Sequence, residues 1–309
     1  MHKVSVIGAG NVGATVANEL ARRNVADIVL VDVVEGFAAG KALDMAEAAP
    51  ILGYSAALSG ADNLDAVEAS DVVVITAGAR RKPGMSRAEL LAINAGVVSS
   101  VSKKVKKFAP KAVILLVTNP LDIMCYVAMK ASGFPRERVL GMAGALDSAR
   151  MCCFVAAELG ISPVDVRAMV LGGHGDSMVP LPRYTTVNGI PITELVSPEC
   201  IERIVERTRK GGSEIVSLLQ TLSAFYAPGA GTAAMVEAIL TGKSLIMPAS
   251  VWTDGEYGIS GTFVGLPLKI GAGGLEEVIG LELKAEELKS LKRSAASVKE
   301  GIEALELEG

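Results

Sequence analysis

Val4-Ser5-Val6-Ile7-Gly8-Ala9-Gly10-Asn11-Val12-Gly13 decides the fold. The run Val4 to Ile7 reads as a buried strand, and the glycines follow it without a spacer. A helical pattern takes over from Val12 to Arg23, with Val12, Val16, Leu20 and Arg23 along one side. A second strand, Ile28 to Val31, stops at Asp32, nineteen residues past Gly13. Glycines spaced GxGxxG between a strand and a helix, with an acid at the tip of the next strand, mark a dinucleotide-binding unit. Gly8 permits the tight turn, Gly10 lets a pyrophosphate reach the backbone, and Gly13 lets helix approach strand. Asn11 and Val12 open the helix, whose free N–H groups and positive dipole end favour phosphate. Asp32 can accept from both ribose hydroxyls and would repel a 2′-phosphate, which selects NAD over NADP.

Outward from this unit the alternation continues. Residues 36–48 read as a helix, Asp71 to Gly78 as a strand, and 87–108 as a long helix. Ala112 to Thr118 is a strand ending in Asn119-Pro120, 121–132 a helix, and Val139 to Met142 a short strand. Strands alternating with helices imply a doubly wound, Rossmann-type parallel sheet with right-handed crossovers. Ligands of such sheets sit at the carboxyl ends of the strands, and Gly8, Asp32, Gly78 and Asn119 all fall there.

Length and composition bound the rest. A chain of 309 residues predicts two domains: a dinucleotide-binding domain over 1–143 and an α+β catalytic domain over 144–309, hinged at Ala143-Gly144. Half of the residues are hydrophobic, yet no apolar run is long enough for a membrane span. The mean hydropathy of +0.42 points instead to apolar surface covered in a homo-oligomer. A net charge of −4 gives no reason to expect nucleic acid. The run Lys103, Lys104, Lys106, Lys107 is the solvated side of a helix that buries Val98, Val101, Val105 and Phe108. Met1 is followed almost at once by a strand, which leaves no room for a signal peptide and predicts a cytoplasmic protein. Cys125, Cys152, Cys153 and Cys200 show no CxxC spacing, so no metal site is expected.

Catalytic candidates lie further on. The chain has two histidines, and His174 is the one placed inside a pattern, Gly172-Gly173-His174-Gly175-Asp176-Ser177, after the strand-like run Val164 to Leu171. Imidazole both gives and takes a proton near neutral pH, and flanking glycines let a ligand approach. In Leu146-Asp147-Ser148-Ala149-Arg150 an acid and an arginine share one helical face, and the apolar residues that follow place the pair inside the protein. Ala79-Arg80-Arg81-Lys82-Pro83-Gly84-Met85-Ser86-Arg87 packs four cations beside a flexible Pro-Gly turn, with Ser86 and Glu89 set as a capping box. Beyond His174, strand-like pieces span Val179 to Val187 and a helix about 199–219. A further helix starts at Gly231-Thr232, two strands run Leu245–Trp252 and Gly261–Ile270, and a helix near 285–306 closes the chain.

With GAGNVG, Asp32, the arginine loop, TNP, LDSAR and GGHGDS in this order, nearly the whole chain resembles the lactate/malate dehydrogenase family, on its malate branch. The resemblance implies NAD-dependent hydride transfer between (S)-malate and oxaloacetate. His174 would be the acid/base, Asp147 its orienting carboxylate, and Arg150 the clamp on the C1 carboxylate. Arg87, carried in by the loop, would polarise the carbonyl. Asn119, before a cis peptide bond, would meet the substrate, while Asn94 and Val117 would lie against the cofactor. Arg81 stands where lactate-type relatives carry glutamine and would pair with the second carboxylate of the dicarboxylate. Arg80 is usual in the lactate branch, where it meets cofactor phosphate, so the loop's register is open to either assignment. Residues 223–229 resemble the malate-branch segment on the substrate side of the cleft. A homodimer or homotetramer is implied.

Overall fold

In the computed structural model, residues 2–79 and 84–308 are described, with Arg87 and residues 306–308 described by their backbone alone. The N-terminal half runs β1 (His2–Ile7), α1 (Asn11–Arg23), β2 (Ala26–Val31), α2 (Phe37–Leu52), β3 (Leu58–Ala61), β4 (Val72–Ile75), α3 (Arg87–Phe108), β5 (Val113–Leu116), α4 (Leu121–Ser132) and β6 (Val139–Gly141). These six strands pair parallel in the order β6-β5-β4-β1-β2-β3. The order reverses between β4 and β1, so a crevice opens at their carboxyl ends.

The apolar runs explain why the sheet is covered on both faces. On β5, Val113 and Leu115 belong to the same buried apolar cluster as Val16 and Leu20 of α1, while Ile114 and Leu116 belong to the other, with Val98, Val101 and Val105 of α3 and Met124 of α4. The helix starts follow local chemistry. Ser86 Oγ accepts the Glu89 N–H at 3.1 Å and the Glu89 carboxylate accepts the Ser86 N–H at 2.7 Å, which closes the capping box and begins α3 at Arg87.

The C-terminal half begins with α5 (Gly144–Leu159) and short strands β7 (Val166–Arg167), β8 (Val170–Leu171), β9 (Val179–Pro180), β10 (Thr186–Val187) and β11 (Ile190–Pro191). It continues through α6 (Pro198–Leu219), α7 (Tyr226–Thr241), β12 (Leu245–Asp254), β13 (Ser260–Gly271), β14 (Gly274–Val278) and α8 (Ala285–Glu308). The last three strands add antiparallel to β6, so one nine-stranded sheet carries strands from both halves of the chain.

Two expectations are corrected, and two strands are new. Val164 to Leu171 is not one strand: a 3-10 turn at Pro163–Asp165 precedes β7, which joins β10, and β8 leaves that sheet to pair with β9. The helix expected from Gly231 begins at Tyr226, because Pro228 falls in the first turn, where a missing N–H costs nothing. Strands β3 and β14 carry no sequence pattern that announced them. Among the described residues no helix is long and apolar enough to cross a membrane.

Candidate active site

Strand ends meet at the reversal, and threonines tie those of β1, β4 and β5. Thr76 Oγ1 donates to the carbonyls of Ile7 at 3.1 Å and Gly8 at 2.9 Å, and Thr118 Oγ1 to those of Ile75 at 3.2 Å and Ala77 at 2.7 Å. Gly8 has φ +99°, and a Cβ on it would lie 2.8 Å from Thr76 Oγ1. A Cβ at Gly13 would sit 1.8 Å from the Gly8 carbonyl, so only glycine lets α1 start so close to β1. At Gly10, by contrast, a Cβ would meet none of the described residues within 4 Å. The turn is packed on its protein side and open outward. α1 begins at Asn11 and Val12 with no side-chain cap, leaving its first N–H groups for an anion. Asp32 accepts the Ala9 N–H at 2.8 Å and the Val34 N–H at 3.1 Å, so the carboxylate expected at a ribose also braces the glycine turn. This cradle fits the pyrophosphate and ribose of NAD.

Gly78, three residues past the end of β4, lies under Asn94, whose Oδ1 would be 3.0 Å from a Cβ there. The buried Asn94 amide accepts the Ala79 N–H at 2.7 Å and donates to the Asn119 carbonyl at 2.7 Å. It therefore locks the loops after β4 and β5 together, beside Val117, whose N–H donates to the Ile75 carbonyl at 2.9 Å. The Asn119-Pro120 peptide is cis.

From the other half of the chain, α5 brings Asp147 into its first turn, 2% exposed. One carboxylate oxygen meets His174 Nδ1 at 2.9 Å and the other accepts from Arg150 Nη1 at 3.0 Å. The helix is placed by close packing: Ser148 Oγ accepts the Val170 N–H at 3.0 Å, and Gly144 leaves no room for a Cβ beside the Val170 carbonyl. Gly172 and Gly265 exchange hydrogen bonds of 2.9 and 3.0 Å, which ties the strand before His174 to β13. Burial alone would push the His174 imidazole down. The Asp147 charge and hydrogen bond, with Asp122 adding to them, outweigh burial and hold it above its ordinary value.

Arg150 lies against α6, where Gly211 and Gly212 face its side chain. Its Nε is buried and has no hydrogen-bond partner among the described residues, a cost of about 1–3 kcal/mol that an anionic acceptor would remove. Arg80 and Arg81 lie outside the described residues. Arg87 is the first residue of α3, and its side chain also lies outside them. The structure adds residues that the sequence pattern did not single out: Asp122, Ser250 and Ser294 around the His174 loop, and the two glycines under Arg150.

Comparison with known proteins agrees with this geometry. Residues 2–141 match the lactate/malate dehydrogenase NAD binding domain, and 144–308 the lactate/malate dehydrogenase alpha/beta C-terminal domain. A malate dehydrogenase of Thermomicrobium roseum is 58% identical over 303 residues, covering 98% of each chain. The structure of malate dehydrogenase from Salinibacter ruber superposes with a TM-score of 0.94 at 50% identity, over 98% of this chain and 97% of that one. A lactate dehydrogenase from Cryptosporidium parvum, solved with lactic acid and nicotinamide adenine dinucleotide, gives 0.95 at 38% identity over 99% and 98%. A glycine cradle at the sheet reversal, a histidine and an arginine sharing one buried carboxylate, and full-length matches in both halves lead to one assignment: the chain belongs to the lactate/malate dehydrogenase family.

Proposed function

We propose that this enzyme interconverts (S)-malate and oxaloacetate with NAD, and that His174 carries the proton. The observation that bears most weight is one buried carboxylate, Asp147, shared by the His174 ring and the Arg150 guanidinium. When bound, the nicotinamide supplies the hydride to the substrate carbon or takes it away. His174 has Nδ1 committed to Asp147, so Nε2 gives a proton to the carbonyl oxygen in reduction and takes it from the hydroxyl in oxidation. Arg150, fixed at Nη1, offers its remaining donors to the C1 carboxylate. Arg87 polarises the carbonyl, Asn119 orients the substrate beside the nicotinamide, and Arg81 takes the second carboxylate. In this division of labour residues 1–143 hold the cofactor and 144–309 supply the acid/base group, with the hinge at Ala143-Gly144. Support for the dicarboxylate comes from the relative at 58% identity, which bears the name malate dehydrogenase.

Steady-state NADH oxidation with oxaloacetate and with pyruvate tests the substrate: faster turnover of pyruvate would overturn the assignment. His174→Asn tests the proton carrier. It should abolish turnover while NADH binding persists, and near-normal turnover would remove the role. The exposed side chains of Leu43, Ile51 and Leu52 on α2 support a homodimer or homotetramer, which light scattering on the purified protein would contradict by reporting a monomer.

A further inference from the structure

Asp122 has no part in the chemistry above, yet it lies 4% exposed in the first turn of α4. Desolvating a carboxylate is costly unless it is paired, and among the described residues no lysine or arginine forms an ion pair with it. Its partners are two neutral donors. Oδ2 accepts the main-chain N–H of His174 at 2.8 Å, and Oδ1 accepts the hydroxyl of Ser250, on β12, at 2.6 Å. Burial pushes the Asp122 carboxyl up, and these two hydrogen bonds act against that.

The His174 loop needs external anchors. Gly172 has φ +88° and Gly175 φ +150°, so the segment has little stiffness of its own. The bond from Asp147 holds the ring at Nδ1 but leaves it free to pivot about the main chain. A second anchor at the His174 N–H fixes the point from which the ring is hung, and the two together define where Nε2 lies. Ser294 of α8 completes the attachment by accepting the Gly173 N–H at 2.8 Å and donating to Ser177 Oγ at 2.9 Å.

We infer that Asp122 is a positioning residue for proton transfer, fixing the main chain of His174 from α4 while Asp147 fixes its ring from α5. The inference rests on the reading of His174 as the proton carrier. Asp122 also adds a negative charge on the α4 side of the imidazole, where Asp147 and Arg150 are the charged groups on the α5 side. Like Asp147 it favours the protonated ring, and Arg150 opposes them both.

The test compares Asp122→Asn, which keeps size and an acceptor oxygen but not the charge, with Asp122→Ala, which keeps neither. In oxaloacetate reduction, kcat should fall about tenfold in the first and about a hundredfold in the second, because small misplacements of a reacting group carry such penalties. The NADH dissociation constant should stay within about twofold, since no cofactor contact is touched. The alkaline limb of the reduction pH profile should move to lower pH in Asp122→Asn, as a charge that favours the imidazolium is gone. Ser250→Ala leaves Asp122 in place, removes one of its donors, and should move the limb the same way by less. Folded variants with wild-type kcat and pH profile would overturn the inference. So would a fall in kcat matched by lost NADH binding with the limb unmoved. His174→Asn separates the two failures: if it retains turnover, the acid/base reading fails. If it is inactive while Asp122→Asn behaves as wild type, only the role of Asp122 fails.

Discussion

Gly211→Ala separates the stability of α6 from the geometry of the site beside it. Glycine inside a helix costs about 1 kcal/mol relative to alanine, and α6 carries two in succession. A Cβ on Gly211 would lie 2.8 Å from Arg150 Cδ and 3.3 Å from its Nε, whereas one on Gly212 would meet its nearest atom, Nη2, at 3.6 Å. The neighbouring substitutions should therefore behave differently. Gly212→Ala should gain helix propensity alone, raise Tm by about 2 °C and leave catalysis unchanged. Gly211→Ala gains the same propensity but forces the Arg150 stem back by roughly half an ångström to restore ordinary contact. Arg150 cannot retreat freely, with Nη1 held on Asp147 at 3.0 Å and a side chain 11% exposed. A shift of that size should cost about tenfold in kcat/KM, or about 1.4 kcal/mol of transition-state stabilisation. The loss should fall on the KM for oxaloacetate, because Arg150 is proposed to grip the carboxylate, with the NADH dissociation constant unchanged. Thermal unfolding and steady-state kinetics on both variants decide the matter. An unchanged KM in Gly211→Ala, or an equal rise in Gly212→Ala, would refute the idea that Gly211 clears space for the guanidinium.

Other perturbations probe the same site. Asp147→Asn removes the charge that holds the His174 ring up and leaves Arg150 without its carboxylate; reduction kcat should fall by roughly three to four orders of magnitude, and denaturant titration should show a loss of about 3–5 kcal/mol. In the wild type, His174 is held above its ordinary value, so oxaloacetate reduction, which uses the protonated ring, should persist past about pH 6.5 before it falls. Malate oxidation should rise through the same pH, and a reduction limb below it would contradict the balance of burial against Asp147. Arg81→Gln should lose oxaloacetate activity and gain some toward pyruvate; unchanged selectivity would move the second-carboxylate contact to Arg80.

Much of the fold was legible because local chemistry sets the element ends. Ser86 with Glu89 fixes the start of α3, and Gly133 in the left-handed region stops α4 at Ser132, so both helices fall at the bounds the pattern gives. β3 was illegible. Leu58-Ser59-Gly60-Ala61 has no β-branched residue, and Gly60 is present because the backbone of α2 presses on it, leaving 2.2 Å between a Cβ and Ala39 N. The strand exists because β2 templates it, which no local pattern records. Pairing of β12 with β6 was hidden for the same reason. It joins Ser250 to Gly141 across 109 residues, so strands from both halves of the chain share one sheet.

The site divides along the same line. Gly8, Gly13, Asp32, Asp147 with Arg150, and His174 between glycines are readable because each makes a demand within a few residues of itself: a turn, a strand tip, a helical face. Asp122 makes none. An acid in the first turn of a helix is explained by the helix dipole alone, so the sequence gives no reason to look further. Its partners stand 52 and 128 residues away, and Ser294 stands 121 residues from Gly173. What makes Asp122 informative is the conjunction of deep burial with no lysine or arginine paired to it among the described residues, and burial belongs to the folded chain. A carboxylate kept at that cost, and aimed at the main chain of the proposed proton carrier, is more economically explained by the placement of His174 than by the stability of α4, since its oxygens accept from His174 and Ser250 and α4 has no side-chain cap for it to supply.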